Sequence, residues 1–188
     1  DIYISLFGDE SLNVATVYNN LGSVYTDIKD YQKAKESYER SLHIREKLLP
    51  EDSEQLSVSY NNLAVMYSKL DDDSSALEYM EKVLAIDEKR YDSNHPRIAH
   101  DLMNIACVKA SLGYDSFKND FPRALQIYIT RYGEDSKLLA EAYLQVAQAY
   151  FSVKQYEDAK AYYEKSYSKY SSDGLSMEDV RILSDLAA

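Results

Sequence analysis

A period constrains this chain more than any other feature. Asn20, Asn62 and Asn104 stand 42 residues apart, and Leu21, Leu63 and Ile105 step with them. A fourth copy, "YLQVAQAY", follows at residues 143–150, one residue early, and a fifth partial copy, "LSDLAA", occupies residues 183–188. A second signature trails the first: Ala34 then Tyr38, Ala76 then Met80, Ala159 then Tyr163. The loops between repeat too, as "LFGDESLNVA", "LLPEDSEQLS", "RYDSNHPRIA" and "RYGEDSKLLA". Such periods arise when a supersecondary unit that cannot bury its own apolar face stacks on copies of itself.

Each unit reads as two helices. "VATVYNNLGSVYTDI" places apolar residues at 14, 17, 18, 21, 24, 25 and 28, a stripe of helical period. "YQKAKESYERSLHIREKLL" carries Tyr31, Ala34, Tyr38, Ser41, Leu42 and Leu48 along one side and charges on the other. Asp9, Ser53, Asn94 and Ser136 stand where the following first helix needs an N-cap, Pro96 suits a first turn, and Asp72, Asp73 and Ser74 are placed to cap a second helix. Five glycines and three prolines leave little for turn-rich β architecture, and nineteen tyrosines suit thin two-layer packing with one polar tip in water. The sequence therefore predicts an all-α fold, an α-solenoid of about four helix pairs in one array over residues 1–188, starting near 11, 53, 95 and 136. The partial units "DIYISLFGDE" and "MEDVRILSDLAA" at the ends are expected to be the tail of a preceding second helix and an unpartnered first helix, so that the chain is a piece of a longer array. In the third unit, Pro122 is expected to start a shortened helix, leaving residues 113–121 as a loop. A kinked longer helix is the alternative. The unit is read as a degenerate repeat, against a sharper reading in which Phe117 and Phe121 are exposed contacts or a hinge.

Catalytic chemistry finds no foothold. His43, His95 and His100 lack paired ligand spacing; His95 beside Pro96 is placed to cap rather than to act as a base. Cys107 has no basic partner in sequence to activate it, and a lone cysteine fits a reducing compartment. "LDDDSSALEY" lacks the glycine and distal glutamate of an EF-hand, and no glycine-rich phosphate loop follows a strand. No enzymatic activity, metal or cofactor is predicted. A net charge of −11 argues against a phosphate-backbone partner, so nucleic acid is not expected. No apolar run is long enough to span a bilayer.

The pattern Tyr18-x-x-Leu21-Gly22-x-x-Tyr25 followed by Ala34-x-x-x-Tyr38 resembles the tetratricopeptide signature, with tyrosine where tryptophan is commoner. Gly22, Ala64, Ala106 and Ala147 then stand where helices approach closely. The 42-residue unit, with "REKLLPEDS" and "DSNHPRIA" between units, resembles the kinesin light chain branch. The resemblance implies a right-handed superhelix whose first helices line a concave groove. It also implies a non-enzymatic adaptor or scaffold taking a partner peptide there, in a cytoplasmic, cytoskeleton-associated setting. A structural self-assembling scaffold that packs through its tyrosine-rich convex face, and a regulatory arm of a larger enzyme, are the alternatives. Oligomerisation through flanking regions stays open.

On a helical wheel, Thr16, Asn19, Asn20, Ser23 and Asp27 gather opposite the apolar stripe. Their counterparts are Val58, Asn61, Asn62, Val65 and Lys69, then His100, Met103, Asn104, Cys107 and Ser111, then Glu141, Leu144, Gln145, Gln148 and Ser152. An amide thus recurs at one row: Asn20, Asn62, Asn104 and Gln145. Packed helices lie about 8–10 Å apart and an extended chain advances about 3.3 Å per residue, so such a ladder meets a strand-like ligand at roughly every third residue. An amide both donates and accepts, so it can hold a peptide backbone without demanding a sequence. The resemblance carries peptide binding to Asn20, Asn62 and Asn104, and to Gln145 by analogy; Asn19, Asn61, His100 and Gln148 flank them. The row of Asn19 and Asn61 lapses to Met103 and Leu144, where apolar pockets are expected. The alternative is that the amides bond between repeats and hold the stack. The lysine and arginine clamp with which related arrays bind chaperone carboxylates is absent, since those positions hold Asn19, Ser23, Asn62, His100 and Asn104.

Overall fold

Short polar side chains set where the helices begin. The computed structural model describes residues 10–170, and among them eight α-helices and no strand occur. They are α1 (Leu12–Asp27), α2 (Tyr31–Leu48), α3 (Glu54–Lys69), α4 (Asp73–Arg90), α5 (Pro96–Ser111), α6 (Phe117–Tyr132), α7 (Lys137–Ser152) and α8 (Tyr156–Tyr170). Ser11, Asp30, Ser53, Asp72, His95 and Ser136 each accept a first-turn N–H that the helix itself cannot satisfy. Ser53, Asp72 and Ser136 are caps that the sequence predicts. Before α5 the cap is His95, not Asn94: Pro96 holds the preceding residue extended, and His95 Nδ1 accepts from the Arg97 N–H at 3.2 Å. Asp9 lies outside the described residues, and α1 is capped by Ser11.

The first helices also end alike. Lys29, Asp71, Gly113 and Lys154 adopt left-handed φ values of 62°, 59°, 76° and 62°. The N–H of the following residue reaches back to the carbonyl of Tyr25, Tyr67, Lys109 or Tyr150 at 2.8–2.9 Å, the longer bond of a Schellman turn. Every α-hairpin therefore reverses at the same repeat position.

The chain divides between Tyr91 and Asp92 into two compact units. In the first, α1 packs on α2, α2 on α3 and α3 on α4. Ala34, Tyr38 and Leu42 of α2 close over Leu56, Leu63 and Met66 of α3, with Ile86 of α4 completing the cluster. Burying a leucine as fully as Leu63 contributes about 1.5–3 kcal/mol. In the second unit, α5 packs on α6 and α7 on α8, and α7 also meets both α5 and α6. The first and last pairs share a buried polar tie: Ser41 Oγ donates to the Ala15 carbonyl, and Ser166 Oγ to that of Ala140, each at 2.8 Å.

Two expectations are corrected. α6 begins at Phe117, so residues 117–121 are helix, and Pro122 is its sixth residue. Its start has no side-chain cap; the first N–H groups instead bond three residues back, Phe117 to Tyr114, Lys118 to Asp115 and Asn119 to Ser116. Phe117 and Phe121 are buried rather than exposed, with ring centroids 5.8 Å apart and Tyr150 at 5.3 and 6.2 Å. An interior proline costs about 3 kcal/mol, whereas two buried phenylalanines return about 1.5–3 kcal/mol each. The burial wins. Secondly, Val17, Leu21, Val24 and Ile28 of the α1 stripe are exposed, as is Leu48 on α2, while Ile44 and Arg45 are buried. Val17, Leu21 and Val24 stand 42 residues before Ser59, Leu63 and Met66, which are buried on α3.

Candidate functional site

In the first unit the predicted polar face does meet solvent. Thr16, Asn20, Ser23 and Asp27 on α1, and Val58, Asn61, Val65 and Lys69 on α3, are exposed, and Asn19 and Asn62 are half-buried. Asn62 Nδ2 donates to Asn19 Oδ1 at 3.1 Å, tying the two first helices directly. The bond leaves the Asn19 amide nitrogen and the Asn62 amide oxygen as a fixed donor and acceptor. Asn20 and Asn61 stand exposed to either side.

In the second unit His100 is exposed on α5, and Asn104 Nδ2 lies 3.3 Å from its Nδ1, one turn along the same helix. The Asp101 carboxylate, 3.9 Å from that nitrogen, raises the His100 pKa above its ordinary 6.5. Gln145 and Gln148 are exposed on α7. Met103 is buried, and Leu144 packs on the cluster of Ala147, Ala159 and Tyr163, so neither opens the apolar pocket expected on that row. Cys107 is half-buried, and burial pushes its thiol pKa up, away from thiolate reactivity. Among the described residues no three His, Cys, Asp or Glu side chains gather as metal ligands, and no helix is long and apolar enough to cross a membrane.

The structure also assembles a feature that position-by-position reading missed. Tyr79 lies between Tyr60 and Tyr67, ring centroids 5.9 and 5.5 Å away, and Lys82 Nζ stands 4.8 Å from its centroid. Tyr162 lies likewise between Tyr143 and Tyr150, at 6.1 and 5.6 Å, beneath Lys165 at 4.5 Å. All four positions recur after 83 residues, a signal visible in sequence at two-repeat spacing. Such cation–π contacts stabilise by about 0.5–1 kcal/mol each at exposed sites. The Tyr60 and Tyr67 hydroxyls donate to Glu46 and Glu39 at 3.0 Å, and burial with these carboxylates holds both phenols well above their ordinary pKa. Beside the first triad, Glu46, Leu49, Tyr60, Lys82 and Ile86 line a cleft of about 420 Å³.

The chain aligns with several known structures, at identities that speak to fold alone. A crystallised variant of a Podosopora anserina kinesin light chain candidate with nearly identical TPR-like repeats matches at 20% identity and a TM-score of 0.81, over 91% of this chain and 81% of that one. BtubC (BKLC) from P. vanneervenii matches at 22% identity and a TM-score of 0.69, over 88% of this chain and 66% of that one. A STAND ATPase with a tetratricopeptide repeat sensor from Pyrococcus horikoshii matches at 20% identity and a TM-score of 0.70, with 93% of this chain spanning 26% of that protein. No curated protein sequence matches. The tetratricopeptide repeat profile matches residues 1–47, 13–89 and 119–172. With the paired helices and repeated hairpin turns, that match makes this chain a member of the tetratricopeptide repeat family.

Proposed function

We propose that this chain is a non-enzymatic adaptor or scaffold module, a single array over residues 1–188 that takes a partner's peptide segment along the amide face of its first helices. Tetratricopeptide repeats generally mediate protein–protein interactions, and the proposal narrows that role to a face and a ligand class. The carrying observation is the Asn19–Asn62 pair at 3.1 Å, flanked by exposed Asn20 and Asn61. A main-chain amide of an extended peptide presents the complementary donor and acceptor. The same bond also favours the second reading, in which the amides hold the stack. One amide can do both, because it has capacity for several hydrogen bonds. A kinesin-light-chain-like cargo role in the cytoplasm is the finer form of the proposal, supported by the structural likenesses and the repeat length.

The test compares partners captured from source-cell lysate by the wild type and by Asn20→Ala/Asn62→Ala/Asn104→Ala, identified by mass spectrometry, with circular dichroism confirming the fold. Loss of specific partners from the folded triple variant is the expected result. An unchanged set of partners would move binding elsewhere, the tyrosine–lysine flank being next in line.

A further inference from the structure

We infer that the cleft between α2 and α4 is a second docking site, taking a partner segment whose large apolar side chain stands between an acidic and a basic neighbour. The cleft, of about 420 Å³, is walled by α2 and its following loop on one side and by α4 on the other, and both helices pack on α3. That volume falls within the about 300–1,000 Å³ of ligand-binding clefts. Leu49, Leu56 and Ile86 give it an apolar lining, and the last two belong to the buried core of the unit. Arg90 Nη2 pairs with Glu54 at 3.0 Å, pinning the end of α4 to the start of α3, so the walls are set before a ligand arrives.

The charges around this lining are sorted by wall. Glu46 and Glu51 stand on the α2 side, Lys82 and Lys89 on α4. Glu46 is held by the Tyr60 hydroxyl at 3.0 Å, and Lys82 by Glu78 at 2.6 Å. Glu51 and Lys89 are exposed, and among the described residues neither has an ion-pair partner. A segment of one charge sign is drawn to one wall and repelled by the other. A segment with a base towards α2 and an acid towards α4 is drawn to both, and the lining between them favours an apolar side chain. This complementarity is what selects the occupant.

The arrangement is not a by-product of the repeat. At 83 residues further on, Tyr143 and Lys165 keep the places of Tyr60 and Lys82, but Ile129 replaces Glu46, Tyr132 replaces Leu49 and Lys169 replaces Ile86. The acidic wall and the apolar lining are thus both altered there, and Lys169 is already paired with Asp135 at 3.1 Å. The cleft is also separate from the amide face. At about 100° per residue, Tyr60 lies about 200° round α3 from Asn62, on the opposite side of the helix. Both faces can therefore be filled at once, and the inference does not rest on peptide binding by the amides.

The chain has no tryptophan, so a tryptophan-bearing peptide reports its own binding by anisotropy and by a blue shift of its emission. The probes are the capped peptides Glu-Glu-Trp-Lys-Lys and Lys-Lys-Trp-Glu-Glu, one for each chain direction, with Glu-Glu-Trp-Glu-Glu and Lys-Lys-Trp-Lys-Lys as single-sign controls. Residues 1–188 should bind one mixed-charge peptide saturably below millimolar concentration, and both controls at least about threefold more weakly. Ala85→Phe, at an exposed position, fills the cleft and should abolish binding at unchanged helix content. Lys89→Glu makes both walls acidic and should turn the preference to the all-lysine control; Glu51→Lys should turn it to the all-glutamate one. Asn20→Ala/Asn62→Ala/Asn104→Ala should bind the mixed peptide as the wild type does. No binding of either mixed peptide, or controls that bind equally well, would overturn the inference. So would an Ala85→Phe protein that binds normally, wall variants that keep the wild-type preference, or loss of binding in the triple asparagine variant, which would place the peptide on the amide face.

Discussion

Replacing Gly22 by alanine sets helix propensity against packing, and the geometry says which prevails. A Cβ at Gly22 would stand 2.6, 2.7 and 2.9 Å from Cε1, Cδ1 and Cζ of the Tyr38 ring. Carbon atoms rest about 3.5–4.0 Å apart, so the ring must retreat by about 1 Å. It has little room: Tyr38 is buried against Ala34 and Leu42, and its hydroxyl lies 3.4 Å from Ser23 Oγ. Overpacking of this kind costs about 1–3 kcal/mol, while alanine in a helix interior recovers about 1 kcal/mol over glycine. The net is a loss of about 1 kcal/mol. Alanine already stands at this position in Ala64, Ala106 and Ala147, and the second repeat combines Ala64 with Met80, a side chain that yields. In the fourth repeat Ala147 and Tyr163 share one cluster, so a helix pair can be spaced for both, which keeps the cost moderate. Gly22→Ala/Tyr38→Met therefore transplants a combination the chain already uses. It should be more stable than the sum of the single variants by about 1 kcal/mol or more. Urea unfolding followed by circular dichroism, read as midpoints at constant slope, gives the cycle. A Gly22→Ala protein as stable as the wild type, or single effects that add within about 0.3 kcal/mol, would refute the close-approach argument.

The repeated left-handed turn makes Asp71→Gly and Lys154→Gly stabilising by about 0.5–1 kcal/mol each, and Gly113→Ala destabilising by about 1 kcal/mol. Thermal midpoints moving the other way would mean the turn residues are held by their side chains. Within α6, Pro122→Ala should raise stability by about 1–3 kcal/mol, while Phe121→Ala should cost about 3–5 kcal/mol; a helix that truly began at Pro122 would leave both near neutral. His100 should titrate by NMR above 6.5, and Asp101→Asn should bring it down. Because the folded pKa is the raised one, its contribution to stability is fully present below about 6.5 and is lost as pH rises through the folded value.

The period carried most of the fold because every repeat solves the same burial problem. Ala34, Leu63, Ala76 and Ala159 are buried where the helical stripe puts them. Ser53, Asp72 and Ser136 cap because their chemistry does not depend on distant neighbours. What escaped depended on partners. Pro122 was read by its local cost, but Phe117, Phe121 and Tyr150 meet only after folding, and their burial outweighs that cost. A helical wheel assigns Leu21 to an apolar face without saying whether a second helix arrives to cover it. The common turn at Lys29, Asp71, Gly113 and Lys154 was hidden because only one of the four is glycine, the residue that signals a left-handed conformation.

The amide face shows the same division. Wheel geometry placed Asn19, Asn20, Asn61 and Asn62 together towards solvent, but the pairing crosses the row: Asn62 meets Asn19, 43 residues away, rather than its repeat counterpart Asn20. That offset ranks the residues energetically. On the proposed reading, a peptide that binds Asn62 meets a side chain already held by Asn19, whereas one that binds Asn20 must first immobilise a free rotamer. Ordering an interface side chain costs about 0.5–1.5 kcal/mol, so the pre-positioned pair should dominate the affinity. Asn62→Ala removes a peptide contact and also releases Asn19, and should weaken a bound peptide by about 0.5–1.5 kcal/mol more than Asn20→Ala does. Equal losses from the two substitutions would mean the Asn19–Asn62 bond serves the stack alone.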